Sequence, residues 1–376
     1  MLPIPVSVIT GFLGAGKTTL LNRLLKDPEL TDAAVIVNEF GDVAIDHLLV
    51  EQASDGVIEL SDGCLCCTVR GELVDTLADL VDRLQSGRIA RLSRVIVETT
   101  GLADPVPVLQ SIMGHPVLVQ AFRLDGVIAL VDAVNGAATL DAHVEAVKQV
   151  AVADRILITK RDLKPDTDAQ AEMEARIRRL NPNAPILDVG APSAGAASLL
   201  ACGLYDPVTK TADVRRWLGE ASDRDPPGHS HDHHDHQHTH EGGHDHAHHH
   251  HHDDRVRSFS LVHDDPIPYA AIATFLELLQ STQGEKLLRM KGIVELSEDP
   301  SRPLVVHGVQ KLMHPPARLP AWPDEKRGTR LVLIGMDLPD DYVRRLFAAI
   351  TNRPGIDTPD RQAVADNPLA IAGFRP

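Results

Sequence analysis

The chain has little basic charge and no long apolar run, and each absence excludes a class of partner. Its 376 residues include 37 lysines and arginines against 53 aspartates and glutamates, which gives a formal net charge of −16. A nucleic-acid groove or an anionic membrane surface needs a basic face, so this balance argues against both partners. No stretch approaches the roughly 20 consecutive apolar residues that a membrane span requires.

Cysteine is scarce as well, with four residues in the whole chain. Three of them, Cys64, Cys66 and Cys67, fall within four positions, and Cys202 stands alone. The apolar N-terminal residues lack a basic region and a cleavage site, so they predict a buried strand rather than a signal peptide. We therefore expect a cytoplasmic protein, in which thiols stay reduced and clustered cysteines indicate metal or redox chemistry.

Residues 1–220 alternate apolar strands with amphipathic helices. Apolar residues at three- and four-residue spacing predict a helix over residues 69–85. Strands are predicted at residues 4–9, 33–38, 56–60, 93–98, 125–131 and 154–159. Apolar strands separated by helices indicate an α/β domain with a mainly parallel sheet that is covered on both faces.

A histidine-rich tract interrupts this pattern within residues 221–254. Residues 229–252 contain 14 of the chain's 20 histidines and almost no apolar side chain. Such a segment cannot bury enough surface to offset its ordering entropy, so we expect a disordered linker. Neutral imidazoles bind Zn²⁺, Ni²⁺, Co²⁺ and Cu²⁺, so the tract is interpreted either as a metal-collecting tether or as a passive polar linker.

Residues 255–352 predict a second and smaller α+β domain, followed by a loose tail over residues 353–376. Strands are predicted at residues 256–262, 286–296, 303–312 and 330–336, and helices at residues 266–280 and 340–350. This order of elements indicates an antiparallel sheet that carries helices on one face.

A complete phosphate-binding motif follows the first predicted strand and opens the first helix. Gly11, Gly14 and Gly16 allow backbone N–H groups to close around the β-phosphate of a nucleotide. Lys17 reaches the β- and γ-phosphates, and the Thr18 hydroxyl coordinates Mg²⁺. The strand–loop–helix context of the motif predicts a P-loop NTPase domain.

Two further loops complete a predicted nucleotide site. Glu98 ends an apolar strand, where it either holds Mg²⁺ or orients the attacking water, or merely caps the next turn; Gly101 can offer its N–H to the γ-phosphate. Thr159, Lys160 and Asp162 stand where GTPases usually carry Asn-Lys-x-Asp. The aspartate and lysine favour guanine over adenine, and the alternative is an ordinary charged loop.

The clustered cysteines predict an incomplete metal site. Structural Zn²⁺ takes four nitrogen or sulfur ligands, whereas Cys64, Cys66 and Cys67 supply three at most. Thiolates favour Zn²⁺ or Cu(I) over harder ions, and Glu39 is the best candidate for an additional ligand. An incomplete site suits metal exchange better than structure. The alternative is a cluster of small buried side chains.

Four segments together resemble the CobW-type metallochaperone GTPases of the zinc-chaperone branch, relatives of UreG and HypB. They are residues 11–22, 37–46, 63–67 and 98–105, in the family's order. The resemblance implies a slow, Mg²⁺-dependent GTP hydrolase that delivers zinc to a client apo-metalloprotein, with Lys17 and Glu98 as catalytic residues. The nucleotide contacts that it implies are Gly14, Ala15, Gly16, Lys17, Thr18, Thr19, Glu98 and residues 159–162, and the metal contacts are Cys64, Cys66 and Cys67 with Glu39 as helper.

Three alternatives stay open at this point. Residues 98–105 resemble the zinc branch more than the cobalamin branch, which favours Zn²⁺ over Co²⁺ without removing a cobalt chaperone for cobalamin synthesis. A zinc storage or buffer protein would use the histidines and cysteines with a vestigial GTPase. A phosphotransferase would use the phosphate loop with structural cysteines. The sequence also leaves open whether the protein is a homodimer.

Overall fold

The computed structural model describes residues 3–38, 57–59, 69–163, 166–190, 195–200, 255–314, 316–322 and 327–351. Glu39, the three clustered cysteines, Cys202 and the histidine-rich tract lie outside these described residues. Within the described residues, the strands form two sheets.

The first sheet contains seven strands, and each neighbouring pair is parallel. They are β1 (Ile4–Gly11), β2 (Ala33–Asn38), β3 (Val57–Glu59), β4 (Arg94–Thr99), β5 (Phe122–Asp132), β6 (Arg155–Thr159) and β7 (Ile186–Asp188). Their spatial order is β3-β2-β4-β1-β5-β6-β7. The parallel sheet predicted from the sequence is thereby confirmed, and β7 is an additional three-residue strand too short to show a pattern.

Helices cover both faces of this sheet. They are α1 (Lys17–Leu25), α2 (Val69–Gln85), α3 (Val106–Gly114), α4 (Leu118–Ala121), α5 (Gly136–Ala142), α6 (Val144–Val152), α7 (Thr167–Leu180) and α8 (Ala196–Leu200). Successive strand residues point to opposite faces. Val95 and Val97 of β4 therefore join the core beneath α2, α3 and α6, whereas Ile96 packs with Leu20 and Leu24 of α1.

The second sheet is antiparallel. Its strands are β8 (Val256–His263), β9 (Leu287–Leu296), β10 (Asp299–Val309), β11 (Leu312–Met313), β12 (Ala317–Arg318) and β13 (Thr329–Met336), in the order β11-β10-β9-β13-β8 with β12 beside β10. Its helices are α9 (Tyr269–Gln283) and α10 (Asp340–Ile350). The antiparallel second unit predicted from the sequence is confirmed.

The two faces of the second sheet have different partners. One face, with Leu331 and Leu333 of β13, packs against Phe275 of α9 and Phe347 of α10. The opposite face places Ile334 of the same strand in the core of the first unit. The sheet is therefore sandwiched between its own helices and the first unit, which explains why β9 and β13 are buried on both faces.

None of the described helices is both long enough and apolar enough to cross a bilayer.

Candidate functional site

The phosphate loop connects the central strand β1 to the N-terminus of α1. Gly11 has a φ of 145°, and a Cβ atom there would lie 2.6 Å from the carbonyl oxygen of Leu130 on β5. Gly16 caps the helix with a φ of 94°. At Gly11, only glycine combines a positive φ with so close an approach to the neighbouring strand. The loop is thus built for backbone N–H groups to face a phosphate at a helix N-terminus.

Lys17 and Thr18 occupy the first turn of α1. The Nζ of Lys17 lies 3.4 Å from the carbonyl oxygen of Phe12, on the loop itself. The hydroxyl of Thr18 donates a hydrogen bond of 3.1 Å to Oε1 of Glu98, at the end of β4. Glu98 is only 5% exposed. The structure therefore brings together the predicted catalytic and Mg²⁺-binding residues, which are 80 positions apart in sequence.

Gly101 lies directly against the phosphate loop. A Cβ atom at this position would lie 2.5 Å from the backbone nitrogen of Leu13 and 2.7 Å from its Cα atom. Any larger residue would displace the loop backbone. This contact places Gly101 against the loop at which the sequence predicts nucleotide phosphates to bind. Thr19 is exposed on the first turn of α1, and Ala15 is buried within the loop.

The predicted base-recognition loop follows β6. The hydroxyl of Thr159 donates a hydrogen bond of 2.8 Å to the carbonyl oxygen of Ala15. Thr159 therefore ties the base loop to the phosphate loop, and its 5% exposure places its side chain behind the site. Lys160 has a φ of 57°, and Asp162 is exposed in a 3₁₀ turn over Arg161–Leu163.

Asp132, which sequence reasoning missed, holds Lys160 in place. It ends β5, accepts a hydrogen bond of 2.7 Å from Nζ of Lys160, and accepts another from the N–H of Val134. Burial alone would raise the pKa of the Asp132 carboxyl, but the hydrogen bond from Lys160 and the backbone bond hold it below its ordinary value. The signal available in sequence was its place at the carboxyl end of a parallel strand, where α/β sheets build their sites.

The predicted zinc ligands are not among the described residues. Cys64, Cys66, Cys67 and Glu39 all lie in gaps of the described ranges. Within the part of the chain that the structure describes, no group of three or more histidine, cysteine, aspartate or glutamate residues could hold a metal ion. The metal site thus stays a prediction from the sequence.

Comparison with known proteins identifies the family. Residues 5–188 match the family described as CobW/HypB/UreG, nucleotide-binding domain, and residues 256–351 match the cobalamin synthesis protein cobW C-terminal domain. The zinc chaperone YjiA of Escherichia coli K12 is 34% identical over 353 residues, which are 93% of this chain and 99% of YjiA. The chain belongs to the CobW family.

Other members extend the comparison. The zinc chaperone CobW of Pseudomonas aeruginosa is 35% identical over 368 residues, with 89% of this chain and 88% of that protein covered. A crystal structure of the Zn(II)-bound YjiA GTPase superposes with a TM-score of 0.64 at 31% identity, over 93% of this chain and 99% of that one. The resemblance stated from the four sequence segments is confirmed, and it extends through both units of this CobW-family chain.

Proposed function

We propose that this CobW-family chain is a zinc chaperone that binds and hydrolyses GTP and transfers zinc from Cys64, Cys66 and Cys67 to a client metalloprotein. The observation that carries the proposal is the hydrogen bond between Thr18 and Glu98. It joins the phosphate loop to the end of β4, beside the strand from which the chain enters the segment with Glu39 and the cysteines.

The nucleotide half of the proposal is supported by the oxygen atoms at the mouth of the phosphate loop. The Thr18 hydroxyl and the Glu98 carboxylate lie 3.1 Å apart, and hard oxygen donors of this kind fit Mg²⁺. When bound, Mg²⁺ would neutralise charge on the outer phosphates. Lys17 would contact the β- and γ-phosphates, and Lys160 and Asp162 would favour guanine. The relative YjiA, which is named a GTPase, supports GTP as the nucleotide.

The metal half is supported by the ligand count and by the relatives. Three thiolates leave a zinc site incomplete, which suits transfer of the ion rather than a structural role. YjiA and the Pseudomonas aeruginosa CobW are both named zinc chaperones, and YjiA has been crystallised with Zn(II). Because thiols must lose their protons to bind zinc, we expect the affinity to rise with pH.

We propose that the first sheet couples the two halves. Asn38, the last residue of β2, pairs with Thr99 of β4, the neighbour of Glu98. The described end of β2 therefore lies next to Glu98 and Thr99, beside the predicted Mg²⁺ and γ-phosphate contacts. In the parallel sheet, Glu59 of β3 ends at the same edge, and Cys64 follows it by five residues. We expect a change in phosphate occupancy to act first on the end of β2, because β2, and not β3, pairs with β4.

The test is a metal competition titration with a non-hydrolysable GTP analogue and with GDP. Coupling free energies of ~1–3 kcal/mol would make zinc binding about 5- to 150-fold tighter with the GTP analogue. Cys66→Ser should abolish the tight site, and Cys202→Ser is the matched control that should retain it. Equal zinc affinities in the two nucleotide states would contradict the coupling.

A zinc buffer is a second candidate, favoured by the 14 histidines at residues 229–252. Deleting this tract distinguishes the two functions. A buffer would lose most of its bound zinc, whereas a chaperone would keep one tight site at the cysteines and its dependence on nucleotide. Repeating the titration with Co²⁺ tests the cobalt alternative, which predicts that Co²⁺ and not Zn²⁺ responds to the nucleotide.

A further inference from the structure

The side chain of Gln149, on α6, forms two hydrogen bonds with the backbone of the segment that follows Glu98. Its side-chain amide donates hydrogen bonds to the carbonyl oxygen of Gly101 at 3.2 Å and to that of Ala103 at 3.0 Å. Gln149 is 2% exposed, so it makes these bonds away from solvent. A buried glutamine that bridges two backbone carbonyls fixes the path of the segment between them.

The neighbouring residue reinforces this contact. Nζ of Lys148 lies 2.7 Å from Oδ2 of Asp104, and both side chains are about one quarter exposed. The other carboxylate oxygen of Asp104 accepts from the N–H of Val106 at the start of α3. Two successive residues of α6 thus hold residues 101–104 through three side-chain contacts.

The same helix also contacts the phosphate loop. His143, which caps the N-terminus of α6, stacks on Phe12 with ring centroids 4.4 Å apart. Gly101 in turn abuts the backbone of Leu13, as shown above. Helix α6 therefore supports two neighbouring backbones, the phosphate loop and the segment with Gly101, that meet where the outer phosphates would bind.

We propose that Gln149 is a positioning residue that holds the backbone of Gly101 in place to receive the γ-phosphate, and so sets the preference for GTP over GDP. This inference rests on the proposed function. Gln149 does not itself reach the nucleotide: it acts through the Gly101 and Ala103 carbonyls. Since GDP lacks the γ-phosphate, loss of this restraint should weaken binding of the triphosphate and leave that of the diphosphate unchanged.

The test uses Gln149→Leu in the full-length protein, with binding of GDP and of a non-hydrolysable GTP analogue measured by calorimetry. Leucine fills a similar volume but donates no hydrogen bond. We expect the dissociation constant of the analogue to rise about ten-fold, as for loss of one to two hydrogen bonds. The dissociation constant of GDP should stay within about two-fold of wild type. The control is Gln110→Leu, which removes a glutamine hydrogen bond to Gln310 away from the site and should change neither.

A second variant keeps the proposal testable if Gln149→Leu does not fold. Lys148→Met retains the aliphatic stem but removes the ion pair with Asp104, and its partly exposed position tolerates the change. It should raise the dissociation constant of the analogue about three-fold, again without an effect on GDP. Lys311→Met, which removes an exposed ion pair with Glu285, is its control.

These measurements distinguish a failure of the role of Gln149 from a failure of the proposed function. If Gln149→Leu leaves the ratio of the GDP and analogue dissociation constants unchanged, whether both rise equally or neither changes, the role of Gln149 is overturned and the proposed function stands. A wild-type protein that binds neither guanine nucleotide would overturn both. A selective loss of the analogue in both variants, with the two controls unchanged, is the result that we expect.

Discussion

At the residue scale, Thr159 shows how a single hydroxyl connects two loops of the candidate site. The sequence predicted it as a base-loop residue in a position that GTPases usually fill with asparagine. In the structure its hydroxyl donates to the carbonyl oxygen of Ala15, so its contact is with the phosphate loop. The single O–H donor of the threonine is sufficient for this bond.

Thr159→Val should weaken nucleotide binding without unfolding the protein. Valine has nearly the same shape, but the variant leaves the carbonyl oxygen of Ala15 without this donor. We expect the dissociation constant of GDP to rise about five-fold, which corresponds to ~1 kcal/mol. Calorimetric titration measures it. Thr274→Val removes a hydroxyl bond to the carbonyl oxygen of Ala270 in α9 and should leave GDP affinity unchanged; an equal loss in both variants would contradict the assignment.

His307 carries a second prediction at this scale. It is 8% exposed on β10 and stacks on His314, with ring centroids 4.4 Å apart. Burial lowers the pKa of His307 well below 6.5, and the nearby positive groups of His314, Arg289 and Lys291 lower it further. The unfolded chain therefore takes up this proton first as the pH falls.

The stability due to a neutral His307 should be full above pH 6.5 and decrease below it. Between about pH 7.5 and about pH 5.5 we expect this group to remove about 1 kcal/mol from the free energy of unfolding. Urea unfolding at the two pH values measures the loss. His307→Phe should reduce the dependence on pH, and Met313→Leu, in the adjacent β11, should preserve it. A wild-type slope in His307→Phe would show that other groups are responsible.

At the element scale, α6 is a short helix whose C-terminal carbonyl groups receive hydrogen bonds from a residue outside the helix. Its nine residues run from Val144 to Val152, and its last carbonyl groups need donors. The side-chain amide of Asn181 donates to the carbonyl oxygens of Val150, Ala151 and Ala153 at 2.8–3.2 Å. Asn181 is 1% exposed and directly follows α7. Its hydrogen bonds therefore connect the C-terminus of α7 to the C-terminus of α6.

Asn181→Ala should therefore be strongly destabilising. It removes three donor contacts and leaves buried carbonyl oxygens unsatisfied, so we expect a loss of about 3 kcal/mol in the free energy of unfolding. Denaturant unfolding measures this loss. The control, Ser86→Ala, removes an exposed hydroxyl bond to the carbonyl oxygen of Arg83 and should change the free energy of unfolding by less than about 0.5 kcal/mol. If the two variants lost equal stability, the cap at Asn181 would not be the cause.

At the scale of the whole molecule, one carboxylate joins the two units. Asp154, between α6 and β6, accepts from the N–H of Val127 at 2.7 Å. It also contacts Nζ of Lys291 and, at 3.3 Å, a guanidinium nitrogen of Arg289, both on β9 of the second unit. Asp154 and Arg289 are about 5% exposed. The ion cluster is thus buried between the nucleotide-binding unit and the second sheet.

Asp154→Asn should lower the free energy of unfolding by about 3 kcal/mol, because it removes the carboxylate that two buried cations contact. The double variant with Lys291→Met should be more stable than the single variant, since it removes one of those cations as well. Thermal or urea unfolding of the four proteins in this cycle measures the coupling. Asp337→Asn, at an exposed ion pair with Arg255, should cost less than about 1 kcal/mol. Additive losses in the double variant would argue against a coupled interface.

The sequence by itself determined the local elements and the family. The phosphate loop could be recognised because glycine spacing and a helix start are local properties, and the helix over residues 69–85 was predicted with its observed bounds because amphipathic periodicity repeats every turn. The cysteine motif and the histidine tract are likewise compositional. These predictions needed no knowledge of which distant residues meet.

Only the tertiary structure decided the contacts that position the site. Gln149 meets Gly101 across 48 residues, Lys160 meets Asp132 across 28, and Lys291 meets Asp154 across 137. From the sequence alone, a polar side chain on a helix or strand is predicted to be solvated. No local pattern shows that folding will bury it against a backbone carbonyl or an opposite charge. The order of the parallel strands brings Lys160 to Asp132. Packing of α6 on the first sheet and of the second sheet on the first unit creates the other two pairs.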